Sequence, residues 1–260
     1  MSSSILYPEV NALLEQVLLG VRTILQREFV GMYLYGSLAT GDFDRASDID
    51  FLVVTEQEIS KAAVMKLRAM HAQIAADDSA WAMDIEGAYL SLAALRHYAA
   101  VPHLQLERGA GRTLEMANHF RVVERAVLRE RGIVVAGPPI RNRIDPVSAD
   151  DLRQSMREML NEWEAPLLDE PAPFHNRGDQ SYTVLSLCRA LYTMEHGAVV
   201  SKPAAARWAQ EALGERWVGL IERALVGRHH PNGQPDPNDV QGTLELARLT
   251  CGKSQTASVR

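Results

Sequence analysis

Three acidic residues carry the chemistry that this sequence makes legible. Asp48 and Asp50 lie two apart at the start of an apolar run, Ile49-Asp50-Phe51-Leu52-Val53-Val54. In an extended chain that spacing points both carboxylates to one face. Paired carboxylates of this kind suit a hard cation such as Mg²⁺, which takes oxygen ligands and keeps part of its water shell for substrate phosphates. Upstream stand Gly36 and Ser37, with ten residues between Ser37 and Asp48. A glycine at the end of a strand lets backbone approach a phosphate closely. The Ser37 hydroxyl and neighbouring amides can then donate to phosphate oxygens. A third carboxylate on a neighbouring strand would bind metal or take the proton of an attacking hydroxyl. Alternation along residues 82–90 puts Asp84 and Glu86 on one face and Ile85 on the other, with Glu86 the candidate and Asp84 its alternative. Such a set answers the needs of phosphoryl and nucleotidyl transfer, where metal ions neutralise phosphate oxygens and the leaving pyrophosphate. Two acids entering a buried strand are costly without a ligand, which weighs against a role confined to turn formation.

These residues need a scaffold, and the hydrophobic pattern supplies one. Val10, Leu13, Leu14, Val17, Leu18, Val21, Ile24 and Leu25 follow helical spacing. Residues 29–35 read as a buried strand, 37–47 as a polar loop, 49–54 as a second strand, 57–77 as a helix and 82–90 as a third strand. After Gly137-Pro138-Pro139 the pattern turns helical, at 152–163, 182–196, 203–213, 217–226 and 240–249. Gly197, Gly214 and Gly227 fall where helices should end. Proline-containing loops are expected at 165–177 and 227–238, and a polar frayed tail at 251–260. The expected organisation is a mixed α/β half followed by an all-helical half, with the boundary near residue 145.

Bulk properties narrow the classes of function. The chain has 260 residues, 47% hydrophobic and 23% charged, as for an ordinary globular protein. A formal charge of −6 disfavours general nucleic-acid affinity and suits a cationic substrate. Two cysteines, Cys188 and Cys251, are too few for a disulfide framework or a thiolate metal site and read as free thiols; Cys188 is expected in the core. No apolar run approaches the ~20 residues of a membrane helix, and no secretion signal is visible. A cytoplasmic monomer is expected.

The segment Tyr35-Gly36-Ser37-Leu38-Ala39-Thr40-Gly41 through Ser47-Asp48-Ile49-Asp50-Phe51-Leu52-Val53 resembles the signature of the polymerase-β-like nucleotidyltransferase superfamily. In the second half, Gly178-Asp179-Gln180, Leu185 to Tyr192, Ser201-Lys202-Pro203 and Ala206-Arg207-Trp208-Ala209 resemble the helical domain of aminoglycoside adenylyltransferases, the streptomycin- and spectinomycin-modifying enzymes above all. The resemblance spans roughly residues 20 to 225. It implies an N-terminal mixed-sheet nucleotidyltransferase domain over 1–145 and an all-helical C-terminal domain over 146–260. It further implies that Asp48, Asp50 and Glu86 bind Mg²⁺, with Glu86 also the general base. Gly36, Ser37, Arg189, Lys202 and Tyr192 would bind ATP, and Asp179 would meet an amine or guanidinium of the substrate. Residues 104–120 contain no tryptophan, which departs from the streptomycin-binding members of that family.

The residues themselves leave alternatives open. Arg189 also suits a solvated helix face, and Asp179 a helix N-cap. Lys202 sits at a helix start, where the helix dipole disfavours a cation unless an anion offsets it. His229-His230 lack partners at ligand spacing and read as surface loop. Glu162, Glu164, Asp169 and Glu170, with Trp163, read either as an acidic wall for a polycation or as a solvated loop. The expected function is ATP- and Mg²⁺-dependent transfer of AMP to a hydroxyl of a small, cationic, aminoglycoside-like molecule. The alternatives are a transferase acting on a protein or nucleic-acid end, and a non-catalytic, antitoxin-like nucleotide-binding module.

Overall fold

The computed structural model describes residues 7–77, 79, 81–96, 102–107, 109, 113–117, 120–168 and 174–256. The chain divides into two compact units, Met1–Pro146 and Val147–Arg260.

The first unit is built on a six-stranded mixed sheet. Its strands are β1 (Phe29–Leu34), β2 (Ile49–Thr55), β3 (Ile85–Ser91), β4 (His103–Leu106), β5 (Leu114–Ala117) and β6 (Ile133–Ala136), in the order β5-β4-β3-β2-β1-β6. Among the described residues only β2 and β3 run parallel; every other neighbouring pair is antiparallel. Helices α1 (Pro8–Leu25) and α3 (Lys61–Ala75) supply Val10, Leu13, Leu14, Val17, Val21, Leu67 and Ile74 to one core with Met32, Leu34, Ile49, Phe51, Val53, Ile85, Tyr89, Leu104 and Leu106. These strand residues alternate, so the intervening side chains, Tyr33, Asp50, Leu52, Glu86, Ala88 and Gln105, belong to the opposite face. Short helices α2 (Gly36–Thr40) and α4 (Leu92–Arg96) follow β1 and β3, and α5 (Val122–Arg131) precedes β6. Arg125 of α5 is fully buried; it donates to the carbonyls of Ala94 and Leu95 and lies over the Phe120 ring, fastening α5 to the end of α4.

Among its described residues the second unit has helices joined by loops, with no strand: α6 (Ala149–Leu168), α7 (Arg177–His196), α8 (Lys202–Leu213), α9 (Glu215–Gly227) and α10 (Pro237–Thr256). Helix α7 is buried on most sides, by Val184, Leu185, Leu187, Cys188, Ala190 and Leu191 among others, because each of the other four helices packs on it. Gly197 takes a left-handed φ of 60° and closes α7 as expected. Ser201 caps α8, its Oγ accepting from the Ala204 amide at 3.3 Å.

Several expectations are corrected. The loop read at 37–47 begins with α2, a single turn anchored by Thr40 Oγ1 on the Gly36 carbonyl at 3.2 Å. Strands β4, β5 and β6, each four residues long, carry too little alternation to stand out in the sequence. Helix α6 continues through Pro166 to Leu168 instead of ending near residue 163. A proline in the last turn loses one backbone hydrogen bond but leaves most of the helix intact. Residues 251–256 belong to α10, with Cys251 and Ser254 buried against the bundle. Residues 257–260 of the expected tail, and Asp169 and Glu170 of the acidic stretch, lie outside the described residues.

Candidate active site

Parallel pairing of β2 with β3 places Asp50 directly opposite Glu86. In a sheet this separates their Cα atoms by about 4.8 Å. Both point away from the core packed by α1 and α3. Gly87, next to Glu86, admits this close pairing, because a Cβ there would meet the Phe51 ring at 2.1 Å. The Tyr35 amide donates to the Asp50 carbonyl at 3.1 Å, so the end of β1 is tied to the same point. Gly36 follows with φ +58°, and a Cβ built on it would fall 1.8 Å from Oδ2 of Asp50. Ser37 comes next, and its buried Oγ has no hydrogen-bond partner among the described residues.

Asp48 is delivered to this corner by a compact turn. Asp44 Oδ1 accepts from the Ala46 amide and from Ser47 Oγ, both at 3.0 Å, and the Ser47 amide donates to the Asp44 carbonyl at 3.0 Å. Asp48 therefore enters β2 from a fixed direction. Asp84, the alternative third carboxylate, precedes β3; its carboxylate lies 3.5 Å from Arg45 and its carbonyl accepts from the Ile49 amide at 2.8 Å. Glu86 is the carboxylate that faces Asp50.

Two residues missed in the sequence complete this corner. Gln105 Nε2 donates to Glu86 Oε1 at 3.5 Å; it shares the sheet face of Glu86, a fact that becomes readable only once β4 is recognised. Tyr35 is buried and its ring meets Phe120 edge to face at 5.9 Å. Burial foremost, then the charges of Asp50, Glu86 and Glu124, hold its hydroxyl well above the usual tyrosine range, so it stays a neutral donor.

The residues present fit a divalent cation. All candidate donors are oxygens, the buried Ser37 hydroxyl, which follows Gly36, has no partner among the described residues, and the lack of a side chain at Gly36 lets the Asp50 carboxylate lie against the backbone there. Among the described residues no three His, Cys, Asp or Glu side chains are gathered closely enough to hold a metal alone. Asp50 and Glu86 are paired across β2 and β3, and with Asp48 they are not gathered into a three-carboxylate site. Mg²⁺ needs one or two carboxylates, with water and substrate phosphates supplying the rest.

In the second unit the expected residues lie along α7 and at the start of α8. Asn176, not Asp179, is the N-cap of α7: its side chain accepts from the Asp179 amide at 2.9 Å, and the Asp179 carboxylate accepts from the His175 amide at 3.2 Å. The next two orphan amides, Arg177 and Gly178, donate to the carbonyls of Gly233 at 2.6 Å and Pro231 at 3.0 Å. The proline-containing loop after α9 therefore serves as a backbone cap for α7. His229 and His230 are exposed in the turn that opens this loop. Arg189, half-buried, lies seven residues beyond Tyr182 on one helix face. Lys202 opens α8 with its Nζ 3.6 Å from the centre of the Tyr182 ring. Tyr192 packs against His196 at 4.4 Å and Trp208 at 5.4 Å. Among the described residues, no helix is long and apolar enough to cross a membrane.

Known proteins resemble both parts of the chain. A family model described as "Nucleotidyltransferase domain" matches residues 16–108, and one described as "Aminoglycoside adenylyltransferase, C-terminal domain" matches residues 143–250. The chain is 26% identical over 240 residues to an aminoglycoside (3'') (9) adenylyltransferase of Shigella flexneri, covering 88% of this chain and 87% of that one. It is 26% identical over 223 residues to a spectinomycin 9-adenylyltransferase of Staphylococcus aureus, covering 82% of each. The fold matches the spectinomycin adenyltransferase from Enterococcus faecialis, solved with ATP and spectinomycin, with a TM-score of 0.71 and 18% identity over 93% of this chain and 99% of that one.

Proposed function

Because the chain belongs to the aminoglycoside adenylyltransferase family, we propose that it transfers AMP from ATP to a hydroxyl of an aminoglycoside-like antibiotic, with Mg²⁺ as the metal, and so confers resistance. The observation that carries this reading is the Asp50–Glu86 pair, set side by side on the sheet face opposite the core packed by α1 and α3, with Gly36 against Asp50.

In this reading Asp48, Asp50 and Glu86 hold Mg²⁺, which when bound neutralises phosphate charge. Gly36 and Ser37 receive phosphate oxygens, the Ser37 hydroxyl donating the hydrogen bond it otherwise lacks. Arg189 and Lys202 are assigned to the triphosphate, where guanidinium and ammonium complement its charge, and Tyr192 to the nucleotide. Asp179 is assigned to a cationic group of the acceptor. Glu86 takes the proton from the acceptor hydroxyl. The acceptor oxygen then forms a bond to the α-phosphorus as the bond to the bridging oxygen breaks, leaving a phosphodiester and pyrophosphate. Gln105 fixes the orientation of Glu86 for that proton transfer. Spectinomycin is the first acceptor to test, since two of the relatives above are spectinomycin enzymes by name and residues 104–120 hold no tryptophan.

The test is pyrophosphate release with ATP and Mg²⁺ against a panel of aminoglycosides and aminocyclitols, with Asp50→Asn in parallel. Release with a member of the panel, lost in the variant, is the expected result. Silence across the panel with ATP still bound would overturn the antibiotic acceptor.

A further inference from the structure

Lys202 occupies an electrostatically awkward position. It is the first residue of a 12-residue helix, where backbone amides present partial positive charge to a side-chain ammonium. Pro203, the next residue, has no amide hydrogen to offer an anion. Lysine also has a long, flexible stem, and confining it on ligand binding costs rotamer entropy. The structure contains a device that answers both difficulties. Tyr182 projects from α7 so that its ring face lies under the ammonium, 3.6 Å from centroid to Nζ. The negative face of an aromatic ring attracts a cation at such a distance. Trp163 of α6 packs beside the same ring, 6.2 Å between centroids and tilted 41°, which limits its rotation. Tyr182 remains 43% exposed, so it is not there to fill the core.

We propose that Tyr182 is a positioning residue for ATP binding: its ring holds the Lys202 ammonium in place for the triphosphate. The inference rests on the assignment of Lys202 to the triphosphate. The interaction uses the ring face and not the phenol oxygen, so phenylalanine should substitute and an aliphatic residue should not. A Lys202 ammonium already confined over the ring loses less freedom when a phosphate arrives. The effect therefore belongs to ATP affinity rather than to the chemical step.

The experiment measures ATP-Mg²⁺ affinity by calorimetry without acceptor, together with KM for ATP and kcat, for Tyr182→Phe, Tyr182→Leu, Lys202→Met and Tyr182→Leu/Lys202→Met. Thermal unfolding checks that each variant folds. Tyr182→Phe should bind within about twofold of the parent, and Tyr182→Leu about three- to tenfold more weakly, with kcat little changed. Lys202→Met should weaken binding further, and adding Tyr182→Leu to it should change nothing more. If Lys202→Met leaves affinity unchanged, the assignment of Lys202 is wrong and the inference goes with it. If Lys202→Met weakens binding while Tyr182→Leu matches Tyr182→Phe, the assignment stands and the positioning role is overturned. Equal losses from Tyr182→Leu with and without Lys202 would also overturn it.

Discussion

A Cβ built on Gly36 would lie 1.8 Å from Oδ2 of Asp50, so the backbone that leaves β1 and the carboxylate at the start of β2 share one space. Gly36 also holds φ at +58°, where a side chain costs roughly 1–2 kcal/mol. Gly36→Ala should therefore act twice. Turnover should fall by about two orders of magnitude or more as Asp50 is displaced, since metal and phosphate contacts are worth several kcal/mol each. The melting temperature should fall by only a few degrees, because the strain is local. Steady-state kinetics beside thermal unfolding checks both; a variant that melts lower yet turns over normally would mean that the close approach does not matter to the site.

Gln105 offers a milder perturbation of the same corner. Its amide reaches Glu86 Oε1 at 3.5 Å, the long end of hydrogen bonding. Gln105→Ala should lower kcat about three- to tenfold, in keeping with a hydrogen bond to a carboxylate that is long and therefore worth only about 1 kcal/mol, while ATP affinity stays within twofold. Gln105→Glu should be worse than alanine, because it sets a further carboxylate against Glu86. If alanine and glutamate variants both retain full kcat, Glu86 is oriented by other groups.

What could be read in advance follows from how local each signal is. Gly36, Ser37, Asp48 and Asp50 lie within fifteen residues on a strand–turn–strand unit, so their relation is written in one stretch of chain. Alternation within β3 put Glu86 and its alternative Asp84 on one face, but the pairing of Asp50 with Glu86 is a matter of register between strands that alternation does not contain. Gln105 was not legible, because β4 is four residues long and its place beside β3 is a tertiary fact. The same holds for the backbone cap of α7: nothing in Pro231 or Gly233 announces that their carbonyls meet the Gly178 and Arg177 amides. Asp179 drew attention as a possible N-cap, but Asn176 three residues earlier takes that place, while the Asp179 carboxylate accepts from the His175 amide. The contact of Lys202 with Tyr182 joins residues twenty apart on successive helices and has no sequence pattern at all.

The cap itself can be tested. Asn176→Ala removes the acceptor for the Asp179 amide and should cost about 1 kcal/mol of stability, the usual loss for an N-cap. Asp179→Asn keeps the cap and removes the charge assigned to the acceptor. The pair should therefore separate: urea unfolding responds mainly to Asn176→Ala, and KM for a cationic acceptor rises mainly with Asp179→Asn. If the two variants change stability alike and neither changes acceptor KM, Asp179 serves the helix and not the substrate.

Buried acids with raised pKa values give the protein a distinct alkaline limit. Burial pushes the Cys188 thiol up to about 12, and burial with the neighbouring carboxylates raises Tyr35 in the same direction. In the unfolded chain these groups lose their protons near pH 8.5 and 10. Below that range both states are protonated and the raised values cost nothing. Above it the unfolded state sheds protons that the folded state retains, so the folded state binds more protons and stability falls with rising pH. The loss for Cys188 should begin near pH 8.5–9 and continue toward pH 12, at no more than about 1.4 kcal/mol per pH unit for one group. Urea unfolding at pH 7.5, 8.5, 9.5 and 10 reads this directly. Cys188→Ala should be less stable than the parent at pH 7.5, because it leaves a small cavity in α7, yet its midpoint should decline less steeply above pH 8.5. Parallel declines for the two proteins would mean that the alkaline limit is set by Tyr35 and the other buried phenols instead of by the thiol.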